Sequence, residues 1–319
     1  NSRLIKNMWS QDMRFSHYNL IAKNIKKEIE KGVDGVIVTQ GTDTLHYTSA
    51  ALSFILEDLS KPVLVVGSQR SSDRGSSDAY LNVINAAYFI ANSEFSEVGV
   101  CMHENMDDGY CYILPGNKCR KLHTSRRDAF KPINTKPWAS VNFMKKDINY
   151  FRKDYNKKSD NELNLKLFKE DIKVGIIKQH TNMYAEQFLF YKDYAGLVIE
   201  TTGLGCLPIT EKDKSTCESG NIQKAIKKLV DRGVIVINAP QTIFGRLNMN
   251  VYEDQRRAQK LGVLGNMNDM TPATTFIKLA WLLSNYDKVK VKELITKNLR
   301  GEMNKRIKPD EFIKFEFND

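Results

Sequence analysis

No stretch of this sequence approaches the roughly 18 consecutive apolar residues of a membrane span, and no charged-then-apolar leader stands before its first helical pattern. Both absences lead us to expect a soluble protein with no membrane partner. Five cysteines, Cys101, Cys111, Cys119, Cys206 and Cys217, are odd in number and form no Cys-x-x-Cys pair. That argues against a disulfide framework and against a zinc site, and a reducing cytoplasmic setting is the expectation. His46, His103, His123 and His180 lack metalloenzyme spacings and are read as structural, with His46 and His123 set apart because they adjoin polar motifs. Gly203-Leu204-Gly205 follows an apolar run, but Pro208 stands where a dinucleotide loop needs its third glycine. Internal repeats and low-complexity stretches are also missing.

What is present suffices for two domains with cores of their own: 319 residues, 41% hydrophobic and 10% aromatic. Lys and Arg number 48 against 38 Asp and Glu, a formal charge of +10. Such a balance favours acidic partners, RNA or a phosphorylated surface. Because the charge is spread over many helical segments, composition alone favours a lysine-rich solvated surface over such a partner.

Tyr18, Ile21, Ile25 and Ile29 recur at helical spacing, behind Ser16 as a candidate cap and ahead of Gly32. Residues 36–38 and 63–66 read as short buried strands, with a helical pattern from Thr42 to about Ser60 between them. The polar loop 67–78 then leads to a helix with Leu81, Ile84 and Tyr88 on one face, and residues 98–102 resume the sheet. This alternation predicts an α/β fold whose larger amino-terminal domain holds a mainly parallel sheet. In such sheets the ligand crevice lies beyond the carboxyl ends of the strands, where the loops after Val38 and Val66 fall.

Residues 142–171 are rich in Lys, Asn and Asp and read as a solvated linker. Three further strand patterns, 174–178, 196–200 and 234–238, alternate with helices near 182–191 and 221–232 and predict a smaller carboxyl-terminal α/β domain. The domains are taken as 1–165 and 166–319. Thr271 and Pro272 form a cap and first turn for a helix directing Phe276, Leu279 and Leu283 to the core. Residues 288–308 carry eight basic side chains and predict a helix with one solvated face.

Three constellations have chemistry in them. Gln40-Gly41-Thr42-Asp43-Thr44 stands where a buried strand ends and a helix begins, so free backbone amides, a hydroxyl and a carboxylate meet at one point. In isolation Asp43 or Thr44 reads as a helix cap. Ser10-Gln11-Asp12 offers three polar side chains able to bind an amino-acid carboxylate, yet alone is an ordinary loop. Lys121 lies among six basic residues between Lys118 and Lys131, where neighbouring cations would ease loss of its proton. Without context that segment reads as a solvated basic loop or a phosphate-binding patch.

Together these segments resemble the asparaginase/glutaminase family over nearly the whole chain. Residues 36–44 resemble its second active-site signature, Lys61-Pro62-Val63 through Gly67-Ser68-Gln69-Arg70 the strand and loop after it, and Ser10-Gln11-Asp12-Met13 the segment that binds the substrate's α-carboxylate. Residues 70–78, 121–130 and 245–252 look like the branch formed by the D subunits of archaeal glutamyl-tRNA(Gln) amidotransferases. The resemblance implies an asparaginase-like fold and an amidohydrolase that hydrolyses L-glutamine. Ser10, Gln11 and Asp43 would bind the substrate's amino-acid end, and Thr42, Asp43 and Lys121 would form a relay activating the nucleophile or water. It further implies a homodimer, and a partner, the E subunit of the amidotransferase, that uses the ammonia to convert Glu-tRNA(Gln) to Gln-tRNA(Gln). No cofactor is implied for this chain, since ATP and Mg belong to the partner.

The family's nucleophilic threonine lies in a Thr-Gly-Gly-Thr-Ile type signature that these residues do not contain. The sequence is therefore read as a fragment lacking that segment and the small β-barrel expected before it. A free cytoplasmic L-asparaginase, or a non-catalytic amino-acid- or RNA-binding relative, are the alternatives.

Overall fold

A computed structural model of the chain describes residues 2–312. It divides into two compact units, Asn1–Glu170 and Asp171–Asp319. In chain order the first carries α1 (Phe15–Ile29), β1 (Val36–Thr39), α2 (Leu45–Ile55), β2 (Leu56–Glu57), β3 (Val63–Val66), α3 (Ala79–Ala91) and β4 (Val98–His103). There follow β5 (Cys111–Pro115), β6 (Cys119–Lys121), β7 (Phe130–Pro132), β8 (Ala139–Asn142), β9 (Asp147–Tyr150) and β10 (Asn164–Leu165).

The main sheet of this unit has the order β1-β3-β4-β5-β8-β9 and is mixed, which corrects the parallel-sheet expectation. β1, β3 and β4 are parallel, with Val36 opposite Val63 and Val63 opposite Val98. β5, β8 and β9 continue antiparallel, with Cys101 opposite Ile113 and Val141 opposite Ile148. Connection length decides the change. α2 and α3 supply the long crossovers that parallel neighbours need, whereas residues 104–110 between β4 and β5 allow only a return strand. All four residues of β3 are buried, which is why it reads as a continuous apolar run.

α1 starts at Phe15, and the Arg14 N–H donates to His17 Nδ1 at 3.0 Å; Ser16 lies inside the first turn and is not the cap. Its core face is Tyr18, Asn19, Ile21, Ala22 and Ile25. On α3 the inward face is Asn82, Asn85, Ala86, Phe89 and Ile90, with Leu81, Ile84 and Tyr88 only partly covered. Two buried asparagines mislead an apolar periodicity. They stay because each is bonded: Asn82 Nδ2 donates to the Gly67 carbonyl at 3.0 Å, and Asn85 Oδ1 accepts from Phe143 N–H at 2.7 Å.

Residues 142–171 are not a solvated linker. β9 extends the main sheet, Tyr155 packs on Phe95 (5.3 Å between centroids), and Ser96 N–H and Lys158 N–H bond across to Asn156 and Glu94 carbonyls at 2.8 Å. Leu163 and Phe168 are buried, and Phe168 stacks on Phe15 at 4.8 Å. Widely spaced aromatics thus bind a charged segment to its own unit as a strap.

The second unit carries β11 (Val174–Lys178), α4 (Ala185–Leu189), β12 (Gly196–Thr201), α5 (Cys217–Asp231), β13 (Ile235–Pro240), α6 (Glu253–Lys260), α7 (Pro272–Asn285) and α8 (Lys288–Leu294). Its sheet is three parallel strands in sequence order. Thr271 Oγ1 accepts from Thr274 N–H at 3.1 Å, the cap the Thr-Pro pair predicts. α7 is buried nearly all round, including Lys278, whose ammonium pairs with wholly buried Glu302 at 2.6 Å. Residues 288–308 form only the short α8 followed by turns, because Glu302 draws the chain inward by accepting Leu299 and Arg300 N–H.

Candidate active site

Beyond the carboxyl ends of β1 and β3 lie the loops 40–44 and 67–78, the end of a parallel sheet at which α/β folds bind their ligands. Thr42 is 8% exposed. Lys121, at the last position of β6, reaches it through space: Lys121 Nζ donates to Thr42 Oγ1 at 2.9 Å and to Asp43 Oδ1 at 3.0 Å. Three residues expected to act together therefore share one hydrogen-bonded cluster.

Ser10 joins them. It opens a single 3-10 turn, Ser10–Asp12, is buried, accepts from Asp43 N–H through Oγ at 3.3 Å, and receives the Thr44 hydroxyl on its carbonyl at 2.6 Å. Thr44 occupies the cap position of α2 but makes no side-chain cap bond, and one oxygen of Asp43, Oδ1, accepts from Lys121. Neither residue is the simple cap that the motif alone suggests. A Cβ on Gly41 would lie 2.8 Å from Ser10 Oγ, so glycine is what lets the two segments meet. Gln11 and Asp12 stand exposed in the same turn.

The basic segment around Lys121 is largely consumed internally. Arg126 forks onto Asp128 at 2.8 and 3.1 Å, Lys131 reaches the Glu104 carbonyl at 2.6 Å, and Lys118 is buried. Arg127 binds Asp108 at 2.5 Å and the Ser76 carbonyl at 2.6 Å, tying three loops together. Burial works to raise the Asp128 carboxyl, but Arg126 and Lys131 outweigh it and hold it below the usual carboxylate range. A clamp that positions Lys121 describes these contacts better than a phosphate patch.

Three supporting residues escape the motif reading. Asp78 is fully buried and accepts from Ser68 Oγ at 2.8 Å, Gln69 N–H at 3.0 Å and Arg70 N–H at 2.9 Å. Burial alone would raise its pKa, yet these donors hold it below the ordinary value. Gly67 backs Thr42, since a Cβ there would stand 2.7 Å from Thr42 Cγ2. His46 is pushed down to about 4, first by burial and then by Arg120 and Lys121, and its Nδ1 is buried without a partner. Gly67 and Asp78 lie inside stretches that carry the family resemblance, but no local pattern singles out either residue.

Elsewhere the smaller motifs are structural. Gly203 and Gly205 adopt positive φ in a tight turn closed by Cys206 N–H on the Thr202 carbonyl at 3.0 Å. All five cysteines are free. Among the described residues no group of His, Cys, Asp and Glu is arranged to hold a metal ion, and no helix is long and apolar enough to cross a membrane.

Two α/β units, the first with a hydroxyl, a carboxylate and an amine clustered beyond its parallel strands, define an asparaginase-type hydrolase. Residues 1–156 match the family description "Asparaginase, N-terminal" and residues 173–295 match "Glutaminase/Asparaginase C-terminal domain". The chain belongs to the asparaginase/glutaminase family. It is 41% identical over 315 residues to the D subunit of the glutamyl-tRNA(Gln) amidotransferase of Pyrococcus abyssi, spanning 98% of this chain and 68% of that protein. To the D subunit of the Methanobrevibacter smithii amidotransferase it is 40% identical over 309 residues, 96% of this chain and 67% of that one. Among solved structures it is similar to the thermostable L-asparaginase from Thermococcus kodakarensis, with a TM-score of 0.82, 26% identity, and 96% and 87% of the two chains covered. L-asparaginase I from Vibrio cholerae gives a TM-score of 0.78 at 29% identity over 93% and 84%.

Proposed function

We propose that this chain is the glutaminase component of a tRNA-dependent amidotransferase, hydrolysing L-glutamine so that its ammonia converts Glu-tRNA(Gln) to Gln-tRNA(Gln). The observation that carries the reading is identity near 40% to amidotransferase D subunits along almost the entire chain. By the same reading the partner is the amidotransferase's E subunit, which handles ATP, Mg and the tRNA, and this chain, a cytoplasmic homodimer, holds no cofactor itself.

The cluster suits acyl transfer. The Asp43 carboxylate, 61% exposed, is available to a substrate ammonium, and Ser10 and Gln11 in the neighbouring turn are the residues we assign to its α-carboxylate. Lys121 bridges that carboxylate and the Thr42 hydroxyl. On losing a proton its amine becomes an acceptor beside Thr42, so a proton can pass from attacking group to leaving ammonia through Thr42 and Lys121. Backbone amides at the start of α2 are suited to the tetrahedral oxyanion. The nucleophile is assigned to the family's threonine signature, which these 319 residues do not contain.

A free L-asparaginase is the second reading, favoured by the two solved structures. Ammonia release from L-glutamine and L-asparagine separates them, using protein from the complete reading frame with and without the co-expressed E subunit and Glu-tRNA(Gln). Glutamine turnover that rises with partner and tRNA is expected. Partner-independent turnover of asparagine alone would transfer the assignment to the second reading.

A further inference from the structure

We infer that one face of the smaller unit binds single-stranded RNA, with phosphates held along α5 and a base stacked on Phe190. The inference rests on the tRNA-dependent reading for the identity of its ligand, but its residues are separate from the Thr42 cluster, which lies in the other unit.

Lys224, Lys228 and the α5 C-cap Arg232 recur every fourth residue, so their backbones fall along one face at intervals of about 6 Å. All three are exposed and line a groove of about 660 Å³ together with Lys227 and Arg257. Against these five cations the lining holds only the carboxylates of Glu211 and Asp231. Lys227 is matched by Asp231 and Arg257 by Glu253, while Lys224 and Lys228 have no acidic partner among the described residues. Lys288 continues the positive line, its Nζ standing over Gly233. A helix face with spare cations at regular intervals suits a ligand with regularly spaced anions.

A second observation narrows the ligand. Arg232 reaches Asp193 at 3.6 Å, a weak surface pair that a phosphate can replace. Asp193 sits in the turn after α4, and that turn carries Phe190, 69% exposed. Phe190 is held edge-on by Tyr191 at 5.3 Å and flanked by Tyr194 at 6.0 Å. An exposed ring, propped by two others at the end of a line of cations, is a stacking platform for an unpaired base. Paired bases in a duplex could not reach it, so the ligand is single-stranded. An acidic protein would use the cations but not the ring.

The test is fluorescence anisotropy with a labelled single-stranded RNA dodecamer, using protein from the complete reading frame. Affinity should fall with salt, and Lys224→Glu/Lys228→Glu should weaken binding about tenfold or more and flatten the log–log salt slope by about 1.4, at roughly 0.7 per phosphate. Phe190→Ala should weaken it about fivefold or more. Lys23→Glu/Lys27→Glu on exposed positions of α1 makes the same change in net charge and should leave binding within about twofold. Ammonia release should be unchanged in every variant. A wild type without glutaminase activity would sink the functional reading while the RNA titration still judges the strip. Equal binding by wild type and strip variants, an equal loss in the α1 control, or equal competition by duplex RNA would overturn the inference. So would an acidic protein held by the strip in the absence of RNA binding.

Discussion

Thr42 has almost no freedom: Lys121 holds its hydroxyl, and Gly67 closes the space behind its methyl. Alanine at Gly67 would bring a Cβ within 2.7 Å of Thr42 Cγ2, 2.9 Å of Leu45 Cδ1 and 3.1 Å of the Gln40 carbonyl. Something must move, and a shift of Thr42 displaces the hydroxyl that Lys121 holds. Gly67→Ala is therefore expected to lower kcat for glutamine about tenfold or more while costing about 1–3 kcal/mol of stability, as overpacking does; steady-state kinetics beside thermal melts would check the pair. His46 gives a pH prediction. Folding favours its neutral form, so the unfolded chain takes the proton first, near pH 6.5, and the folded one only near 4. Its stabilisation is complete above about pH 6.5, falls as pH drops toward 4, and is worth up to about 3 kcal/mol. Between pH 7 and 4.5 the melting temperature of wild type should fall more than that of His46→Gln. Equal slopes would contradict the assignment.

Among the elements, those with apolar repeats were legible and those held by polar bonds were not. β3 and α7 follow their patterns, and the Thr271-Pro272 start of α7 is where the cap rule puts it; β1 forms a strand as its apolar run predicts, but it is only partly covered rather than buried because it lies at the edge of the sheet. The inward face of α3 was missed because Asn82 and Asn85 are buried by their bonding, and the strap 142–171 because a few aromatics outweigh many charges. Lys278 and Glu302 belong to the same lesson, being charged, wholly buried and invisible to hydrophobic periodicity. Glu302 serves Lys278 and also the Leu299 and Arg300 N–H groups. Removing it takes the acceptor from the Leu299 and Arg300 N–H groups and leaves a buried ammonium with the Lys297 carbonyl but no counter-charge, whereas removing Lys278 leaves a carboxylate that keeps both backbone donors. Glu302→Leu should cost about 3–5 kcal/mol and more than Lys278→Met, read from urea unfolding. The reverse order would refute this account of how the carboxyl-terminal segment is fastened.

For the molecule as a whole, the site was legible only through the combination of its motifs. Lys121 alone looks like part of a solvated loop, and it meets Asp43 across 78 residues of sequence, a distance no local pattern spans. The family resemblance joins the two, and the fold supplies the physical reason: α2 starts where β1 ends, and the β6 and β7 ribbon delivers Lys121 to that point. The central claim is that this cluster moves the proton in glutamine hydrolysis. The most direct measurement is ammonia release from L-glutamine by protein from the complete reading frame, assembled with the E subunit and Glu-tRNA(Gln), for wild type and Lys121→Met. The account predicts tRNA-stimulated turnover in the wild type and a loss of about 10²–10⁴-fold in the variant, with the melting temperature little changed. Turnover by Lys121→Met within a few-fold of wild type would contradict it.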